Sequence, residues 1–316
     1  MYKPKAKPYT TYIWSTLVAS FLLFIGRTAL AVEIDFKPIA EGVYAYIGDT
    51  DGRTYDNEGL NANIGLIITP DGAILIDSGA TFQSAKKIHD AAKRVTSQPI
   101  KWVINTGGQD HRWLGNGYFK AQGAELIAHA HANADMKARS AEQMQGLNIL
   151  KERLTGTVPT LPSRLLKDND VYLQLGGVAF EIKYRGGGHT PGDILVWLPK
   201  KNVLFSGDLV YVDRVLGMLN VSSSKAWLQS FAVIDDLKPL IIVPGHGKVT
   251  NLATAQSQTR DLLLALRAHV KKSIEGDGDM NLSVKSFDSK PFAHLKHAEV
   301  WIPQLTHAAY LEVERE

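Results

Sequence analysis

Residues 73–79 read AILIDSG, an apolar run that ends in an aspartate, a serine and a glycine. A short apolar run followed by a glycine-containing polar loop recurs four more times along the chain. Glycine allows sharp turns and the close approach of a ligand or ion, so the chemistry of the protein is expected in these loops. The five loops are Asp77–Gly79, Thr106–Asn116, Gly186–Asp193, Ser206–Asp208 and Pro244–Gly247.

The order of predicted elements indicates one α/β domain with two similar halves. In each half a series of strands is followed by helices, an order that favours two sheets packed face to face with helices outside. Residues 158–170 are predicted to be a connection. The predicted strands are Gly42–Gly48, Asn63–Ile68, Ala73–Asp77, Lys101–Asn105, one beginning with Glu125–Ala128, Val171–Leu175, Val178–Tyr184, Ile194–Leu198, Val203–Phe205 and Leu240–Val243, and the predicted helices are Phe82–Val95, Ala130–Leu154, Ser224–Leu237 and Thr254–Lys272.

The chain has 316 residues and no cysteine, with 45% hydrophobic and 21% charged residues. This mixture is typical of globular domains and argues against long disorder. Without cysteine the chain cannot form disulfides, thiolate zinc sites or iron–sulfur clusters, and it has no cysteine nucleophile. Any metal must therefore be held by histidine, carboxylate or amide side chains. Nucleic acid is not an expected partner, because no basic stripe with interleaved aromatic residues is present.

The first 31 residues have the pattern of a secretory signal peptide. Three lysines among residues 1–10 precede an uncharged apolar stretch, residues 11–26, and a small-residue run that closes at Ala31. We expect cleavage after Ala31 and a periplasmic or otherwise exported protein. There are two alternatives. The segment could be an uncleaved N-terminal anchor, which would be the one expected contact with the membrane, or it could be a buried core helix. Removal of this segment changes the net charge from +3 to −1, since residues 32–316 carry 31 basic and 32 acidic side chains.

The five loops, taken in order, resemble the successive motifs of the metallo-β-lactamase superfamily. The matching segments are IDSG with Asp77, an NT…DH…GN segment, GGGHTPGD with His189, FSGD with Asp208 and PGHG with His246. The resemblance extends from about Ile47 to Lys272. It implies an αβ/βα four-layer sandwich with a metal site at one edge of the two sheets, and hydrolysis of an ester, thioester, lactone, lactam or phosphoester.

The C-terminal run HAAYLE, residues 307–312, is similar to that of exported members related to the sulfur-oxidation and quinoprotein-associated zinc metallohydrolases. We therefore expect three parts in the chain. Residues 1–31 would be the signal peptide or anchor, residues 32–280 the metallo-β-lactamase-like domain, and residues 281–316 a C-terminal extension that packs on that domain.

The second motif departs from the family pattern, Thr-His-x-His-x-Asp-His, which supplies two histidines to a first zinc ion and an Asp–His pair to a second. Here the segment reads TGGQDHR. With one residue deleted before the Asp–His pair and one inserted after it, Asp110 and His111 take the family's Asp–His places. Both this alignment and the one without a gap lack the two earlier histidines. Without a gap, the four ligand places hold Gly107, Gln109, His111 and Arg112.

The resemblance therefore implies two unequal metal sites. The first keeps His189 and Asp208, with Gln109 as a weak third ligand, which is too few for a closed tetrahedral site. We expect one zinc ion in the second site, or two bound unequally. Asp77 and Arg112 would lie next to the ligands rather than among them. The second site, under the gapped alignment, consists of Asp110, His111, Asp208 and His246.

These residues predict an exported zinc-dependent hydrolase that acts on a small-molecule acyl ester, thioester, lactone or lactam with metal-activated water. Asp110 would orient the nucleophile and pass its proton to the leaving group. Gln109 would donate to the developing oxyanion, a role worth about 2.7–4 kcal/mol. His189, if it is not a ligand, would be the proton donor. Arg112 cannot bind a metal and would pair with Asp110 or with an anionic substrate.

One other interpretation stays open, and a third is disfavoured. The chain can be a non-catalytic, degenerate member that binds a ligand or a partner protein, because two metal ligands are missing. A mononuclear iron dioxygenase of the same fold would need those two histidines. Selectivity depends on the loops Asp49–Leu60 and Tyr211–Ser223, and neither the substrate nor the oligomeric state follows from the sequence.

Overall fold

The sequence folds into two β-sheets packed against each other with helices on their outer faces. The computed structural model describes residues 1–5 and 32–316, so most of the predicted signal peptide lies outside the described residues. Residues 32–316 form one unit. In the described part of the chain, no helix combines the length and the hydropathy needed to cross a membrane. The predicted αβ/βα sandwich is confirmed.

The first sheet has seven strands in chain order. The first four strands pair antiparallel, and the fourth to the seventh pair in parallel. Parallel strands end at the same edge of a sheet, so the loops that begin with Asp77 and with Asn105 meet there. The strands are β1 (Lys37–Ala40), β2 (Val43–Tyr46), β3 (Ile64–Thr69), β4 (Gly72–Ile76), β5 (Ile100–Ile104), β6 (Glu125–His129) and β7 (Arg164–Leu166).

The second sheet has five strands in the order β12-β11-β10-β9-β8. All pairs are antiparallel except that of β11 with β12. In this parallel pair Tyr211 lies opposite His246, which brings the ends of both strands, and Asp208 within β11, to one edge. The strands are β8 (Asp170–Leu175), β9 (Val178–Lys183), β10 (Leu195–Leu198), β11 (Val203–Tyr211) and β12 (Ile241–His246).

Hydrogen-bonding side chains define the starts of two of the longer helices. Thr81 and Ser84 form a capping box at the start of α1, and Ser223 caps α5. The helices are α1 (Phe82–Val95), α2 (Asp110–Trp113), α3 (Asn116–Ala121), α4 (Ala130–Gly146), α5 (Ser224–Leu237), α6 (Leu252–Ala255), α7 (Asp261–Glu275), α8 (Met280–Ser286) and α9 (Ala298–Val313). A 3₁₀ segment, Leu147–Leu154, follows α4, and a π-helical turn, Gln256–Arg260, joins α6 to α7.

The differences from the sequence expectations are local. β1 and β7 were not expected, and β11 continues to Tyr211 instead of ending at Phe205. The predicted helix 254–272 is interrupted by the π-helical turn. This turn aims the Thr259 hydroxyl at the end of β11, where it accepts from the N–H of Tyr211 at 3.0 Å and donates to the Tyr211 carbonyl at 2.6 Å. The π-helical turn therefore fixes the strand that carries Asp208.

The space between the two sheets is filled to contact, which gives a first prediction. Gly65 in β3 lies under the Phe205 ring of β11, and an added methyl group would overlap that ring. We expect Gly65→Ala to lower the free energy of unfolding by about 1–3 kcal/mol, measured by urea titration, because overpacking forces the sheets apart. Gly146→Ala is the control, since an added methyl group there meets no atom within 4 Å. Equal stability of the two variants would contradict this account of the inter-sheet packing.

Candidate active site

Three side chains from three elements converge at the edge where the two sheets meet. His111 belongs to α2, Asp208 to β11 and His246 to β12. Nε2 of His111 lies 3.0 Å from Oδ2 of Asp208, and Nε2 of His246 lies 3.2 Å from Oδ1. All three residues are buried, and one ligand atom of each lies within 4.8 Å of the others. Among residues 1–5 and 32–316, this is the one group with the composition and spacing of a metal site.

Backbone carbonyls fix the orientation of two histidine rings. Nδ1 of His246 lies 2.6 Å from the carbonyl oxygen of Asn61, and Nδ1 of His189 lies 2.9 Å from that of Gly217. Because a carbonyl can only accept, each Nδ1 carries the hydrogen and each Nε2 keeps a lone pair. Burial lowers the pKa of His189 to about 4 and the pKa of His246 well below its ordinary value, so both rings are neutral near pH 7.

Both lone pairs face an anion. Nε2 of His246 lies 3.2 Å and Nε2 of His189 lies 3.9 Å from oxygens of the Asp208 carboxylate. Buried hydrogen-bond acceptors that face one another need a cation between them. In metal-binding histidines the ring nitrogen that does not bind the metal typically donates to a carbonyl or carboxylate, as Nδ1 does here. The donor set therefore fits a metal ion. His111, Asp208 and His246 would hold the ion, with His189 at the border of the group.

Arg112 lies beside this group at the centre of a buried ion-pair network. Its Nε donates to Asp208 Oδ2 at 3.1 Å, its Nη2 donates to Asp208 Oδ1, and its Nη1 donates to Asp77 Oδ2 at 3.0 Å. All three side chains are at most 2% exposed. Burial alone would raise the pKa of Asp208, but Arg112 and His111 more than offset it and hold that pKa well below its usual range.

The expectation for the partner of Arg112 differs from this network, whereas the expected position of Asp77 agrees with it. Arg112 pairs with Asp208 and Asp77 rather than with Asp110, and its burial leaves it out of reach of a substrate. Asp77 does lie next to the group and not in it. Its carboxylate accepts from the N–H and the hydroxyl of Thr106, both at 2.7 Å, which anchors the loop after β5 to the end of β4.

The predicted ligand Asp110 lies outside the group. Its carboxylate accepts from Nε of Arg53 at 3.0 Å and from the N–H of His111 at 2.6 Å. Arg53 also places Nη2 at 3.1 Å from Nδ1 of His111. In this helix the carboxylate of Asp110 faces Arg53, while Nε2 of His111 faces Asp208. The arrangement corresponds to the alignment without a gap, in which His111 contributes to the site and Asp110 does not.

Close packing fills the space at Gly107, the place of one of the two histidines that the second motif lacks, and at the neighbouring Gly108, whereas Gln109 takes the place of the other histidine. A side chain at Gly107 would collide with the carboxylate of Asp193, and one at Gly108 with that of Asp135. Asp193 accepts from the N–H of Thr190 at 2.6 Å, and burial raises the pKa of Asp193 to about 8. The structure therefore has no room for a histidine at position 107 without movement of Asp193.

A pocket of about 290 Å³ opens beside the candidate metal site. It is lined by four of the residues that the sequence predicted, namely Gln109, His111, His189 and His246. Gln109 immediately precedes α2, and its Oε1 accepts from Nη1 of Arg139 at 3.4 Å. Its amide N–H groups have no hydrogen-bond partner among the described residues, so they are free to donate to a bound molecule.

The other lining residues were not predicted as site residues, and they include Arg53, Asn61, Arg214 and Trp301. Arg53 and Arg214 belong to the two loops that the sequence indicated for selectivity. Their positive charge was the feature of the sequence from which they could have been predicted. Asn61 follows the first of these loops directly. Trp301 belongs to α9, and no spacing in the sequence connects this C-terminal helix with the motif loops.

The family model of the metallo-beta-lactamase superfamily matches residues 57–246, which is more than half of the chain. The chain belongs to the metallo-β-lactamase superfamily. The metallo-β-lactamase type 2 of Elizabethkingia meningoseptica is 24% identical to it over 264 residues, which cover 80% of this chain and 97% of that protein. The metallo-β-lactamase IND-1 of Chryseobacterium indologenes is 26% identical over 212 residues, which cover 65% of this chain and 77% of that protein.

Solved structures of metallo-β-lactamases show the same fold. A metallo-β-lactamase from Pontibacter korlensis superposes with a TM-score of 0.59 at 22% identity, covering 73% of this chain and 99% of its own. DIM-1 metallo-β-lactamase exposed to ceftazidime superposes with a TM-score of 0.59 at 21% identity, covering 74% and 98%. Membership of the superfamily supports metal-dependent hydrolysis as the class of reaction. The matched residues 57–246 include all three candidate ligands but neither Arg53 nor Trp301.

Because Arg112 is the one arginine of this buried network, its removal is expected to destabilise the fold strongly. Arg112→Leu would leave Asp77 and Asp208 buried without a guanidinium partner, and we expect it to lower the free energy of unfolding by about 3–5 kcal/mol in urea titrations. Arg185→Leu is the matched control, because Arg185 pairs with the more exposed Asp170 and should change stability by no more than about 0.5 kcal/mol. Similar losses for both variants would refute a central role for Arg112.

Proposed function

We propose that this member of the superfamily is an exported hydrolase that works with one zinc ion held by His111, Asp208 and His246. Its substrate class would be a small acyl ester, thioester, lactone or lactam. The observation that carries the proposal is the convergence of neutral imidazole lone pairs on the ionised carboxylate of Asp208. A bound zinc ion would polarise the acyl carbonyl and lower the pKa of water.

Gln109 and His189 supply complementary roles at the pocket wall. With its carbonyl end held by Arg139, Gln109 has amide hydrogens to donate to an oxygen that becomes negative at the reacting carbonyl. His189 has its hydrogen on Nδ1, where Gly217 accepts it, so Nε2 is set to accept a proton from the attacking water. This replaces the proton-donor role that the sequence suggested for His189.

Asp110 acts through its neighbour. Its Oδ1 lies 3.1 Å from Nδ1 of His111, and a carboxylate in that position selects the histidine tautomer that binds metal through Nε2. In this structure Arg53 also donates to the Asp110 carboxylate, and its Nη2 lies close to Nδ1 of His111. Asp110 would therefore position His111 rather than orient the nucleophile itself.

The N-terminal pattern supports the exported location. Three lysines, an uncharged apolar stretch and a small-residue run closing at Ala31 are the features that secretion machinery recognises. The absence of cysteine is compatible with an oxidising compartment, since no thiol is available for wrong pairing.

Metal analysis tests the proposal directly. After reconstitution with zinc and removal of free metal, we expect about one equivalent bound per chain, measured by mass spectrometry, together with turnover of p-nitrophenyl acetate or a simple lactone. His246→Ala should lose both the zinc and the turnover, because two protein ligands do not hold the ion.

The alternative, a non-catalytic member, makes the opposite prediction. It is favoured by the two arginines that already neutralise Asp208 and Asp110. Below ~0.1 equivalent of zinc after reconstitution, with no turnover of either substrate, the hydrolase proposal would be abandoned. His269→Ala is the control for nonspecific binding, because His269 lies outside the group and contacts Ser283.

Arg53 is expected to oppose metal binding. When its Nη2 donates to Nδ1 of His111, the ring must carry its hydrogen on Nε2, the nitrogen that faces Asp208. Arg53→Met removes both that hydrogen bond and a nearby positive charge. We expect zinc to bind at least about tenfold more tightly, measured by competition with a chromogenic chelator.

A double variant isolates the role of Asp110 in zinc binding. Adding Asp110→Asn to Arg53→Met removes the carboxylate that would accept from Nδ1, and the gain in zinc affinity should disappear. Unchanged or weaker zinc binding by Arg53→Met alone would show that Arg53 does not compete with the metal.

A further inference from the structure

The C-terminal run HAAYLE, residues 307–312, ends in a glutamate that joins α9 to the start of α5. The carboxylate of Glu312 accepts from the hydroxyl of Ser223 at 2.8 Å, and from the N–H and the hydroxyl of Ser224 at 2.8 and 2.5 Å. Its Oε1 also accepts from the N–H of Lys225 at 3.3 Å. A side chain of one helix therefore satisfies the N–H groups at the start of another, where a negative charge is favourable.

A cation on a third helix reinforces this contact. Nη1 of Arg267 in α7 lies 3.8 Å from Oε1 of Glu312 and donates to the Ser224 hydroxyl at 2.9 Å. The Arg267 and Glu312 side chains are only 18% and 19% exposed, so salt and water screen their attraction less than that of surface pairs. Glu312 therefore joins α5, α7 and α9 at one point.

The segment that precedes α5, residues 217–223, connects Glu312 with the pocket. In this segment the hydroxyl of Ser222 donates to the carbonyl of His189 at 2.7 Å. The carbonyl of Gly217 accepts from Nδ1 of His189 at 2.9 Å. The segment therefore contacts both the backbone and the ring of His189, and it ends at the residues that Glu312 holds.

α9 provides a fixed base for Glu312. Three apolar side chains of α9 are buried in the core, namely Ile302, Leu305 and Ala309. The hydroxyl of Tyr310 also donates to the carbonyl of Gly278 at 2.9 Å, just before α8. Because these contacts do not involve Glu312, α9 and the pocket wall that it forms should stay in place when the carboxylate is removed.

α5 likewise keeps its start without Glu312. The N–H of Ser223 donates to the carbonyl of Gly188 at 2.9 Å. The hydroxyl of Ser223 accepts from the N–H of Ala226 at 3.1 Å and caps the helix. Removal of the Glu312 carboxylate should therefore loosen the segment 217–223 rather than unfold the protein.

We propose that Glu312 is a positioning residue for His189. By holding the end of the segment 217–223, its carboxylate keeps the carbonyl of Gly217 on Nδ1 of the ring. The proposal rests on the hydrolase function proposed above, in which Nε2 of His189 accepts a proton, because that role requires the ring hydrogen to stay on Nδ1. In the part of the chain that the structure describes, Glu312 does not line the pocket, so it acts through the segment.

The tautomer of His189 in the zinc-free full chain gives the first readout. Proton–nitrogen NMR correlation spectra of the imidazole rings distinguish a hydrogen on Nδ1 from one on Nε2, and His189→Gln identifies the signals of this ring. We expect the hydrogen on Nδ1 in the unaltered chain, where Gly217 accepts it. In Glu312→Ala we expect the signals of the two ring nitrogens to shift toward a common average, because the loosened segment no longer selects one tautomer.

The kinetics of the zinc-loaded protein give the second readout. Glu312→Ala should lower kcat for p-nitrophenyl acetate at least about tenfold, because the proton acceptor is no longer held in one form. KM should change by less than about threefold, since α9 keeps its part of the pocket wall. The zinc content should stay at about one equivalent, because other contacts hold the three candidate ligands.

Glu316→Ala is the matched control. Glu316 lies one turn beyond Glu312 and pairs with the same Arg267, at 2.8 Å. Its contact with α5 is with the ammonium group of Lys225, at 3.8 Å, rather than with the N–H groups that Glu312 holds. We therefore expect Glu316→Ala to leave both the His189 tautomer and kcat unchanged.

Glu312→Gln is the second variant and replaces Glu312→Ala if that variant does not fold. It keeps one acceptor oxygen but not the charge, so both readouts should fall between those of the unaltered chain and of Glu312→Ala. A hydrogen on Nε2 in the unaltered chain would overturn the proposal. So would an unchanged tautomer or an unchanged kcat in the Glu312 variant that folds, or an equal change in Glu316→Ala.

Because the NMR readout needs neither zinc nor turnover, its failure is distinct from failure of the hydrolase proposal. A chain in which Glu312 sets the His189 tautomer, but which binds no zinc, would retain the positioning role and lose the reaction. A chain that binds zinc and hydrolyses esters regardless of Glu312 would retain the reaction and lose the positioning role.

Discussion

The contact between Arg112 and two aspartates joins the two sheets at the edge where the chemistry lies. Asp77 follows β4 of the first sheet, Asp208 belongs to β11 of the second, and the guanidinium of Arg112 donates to both. Two buried carboxylates at this position would repel each other without the cation between them. The relative position of the sheets at the site therefore depends on Arg112, and the charge state of Asp208 depends on Arg112 together with His111.

This arrangement changes how the missing histidines are interpreted. A site with two metal ions would place further positive charge near Arg112 and Arg53, and position 107 has no space for a side chain. The chain instead surrounds one group of ligands with permanent cations. The absence of a histidine at position 107 is thus accompanied by close packing around Gly107, and Gln109 takes the place of the second histidine. This supports the proposal of one zinc ion over that of a damaged site for two.

The sequence was sufficient for elements whose boundaries are set by local interactions. The predicted limits of α1 and α5 agree with the structure because Thr81 and Ser223 cap them. The order of the motifs also identified Asp208 and His246 as candidate ligands. Both lie on the parallel strand pair β11–β12, which brings them to the same edge of the sheet. It did not distinguish Asp110 from His111, because their directions depend on where a four-residue helix begins. Trp301 was not predictable, since its contact with Arg214 joins distant parts of the chain.

The position of α9 divides the pocket between distant parts of the chain. Every candidate metal ligand precedes α9 in the chain, whereas the aromatic ring that packs on Arg214 lies within it. Removal of α9 would therefore keep every candidate ligand and take away one wall of the pocket. Without Trp301, Arg214 would keep one of its two aromatic neighbours, Tyr211, and its guanidinium would be more hydrated. The candidate ligands and the pocket wall can therefore vary in sequence independently of each other.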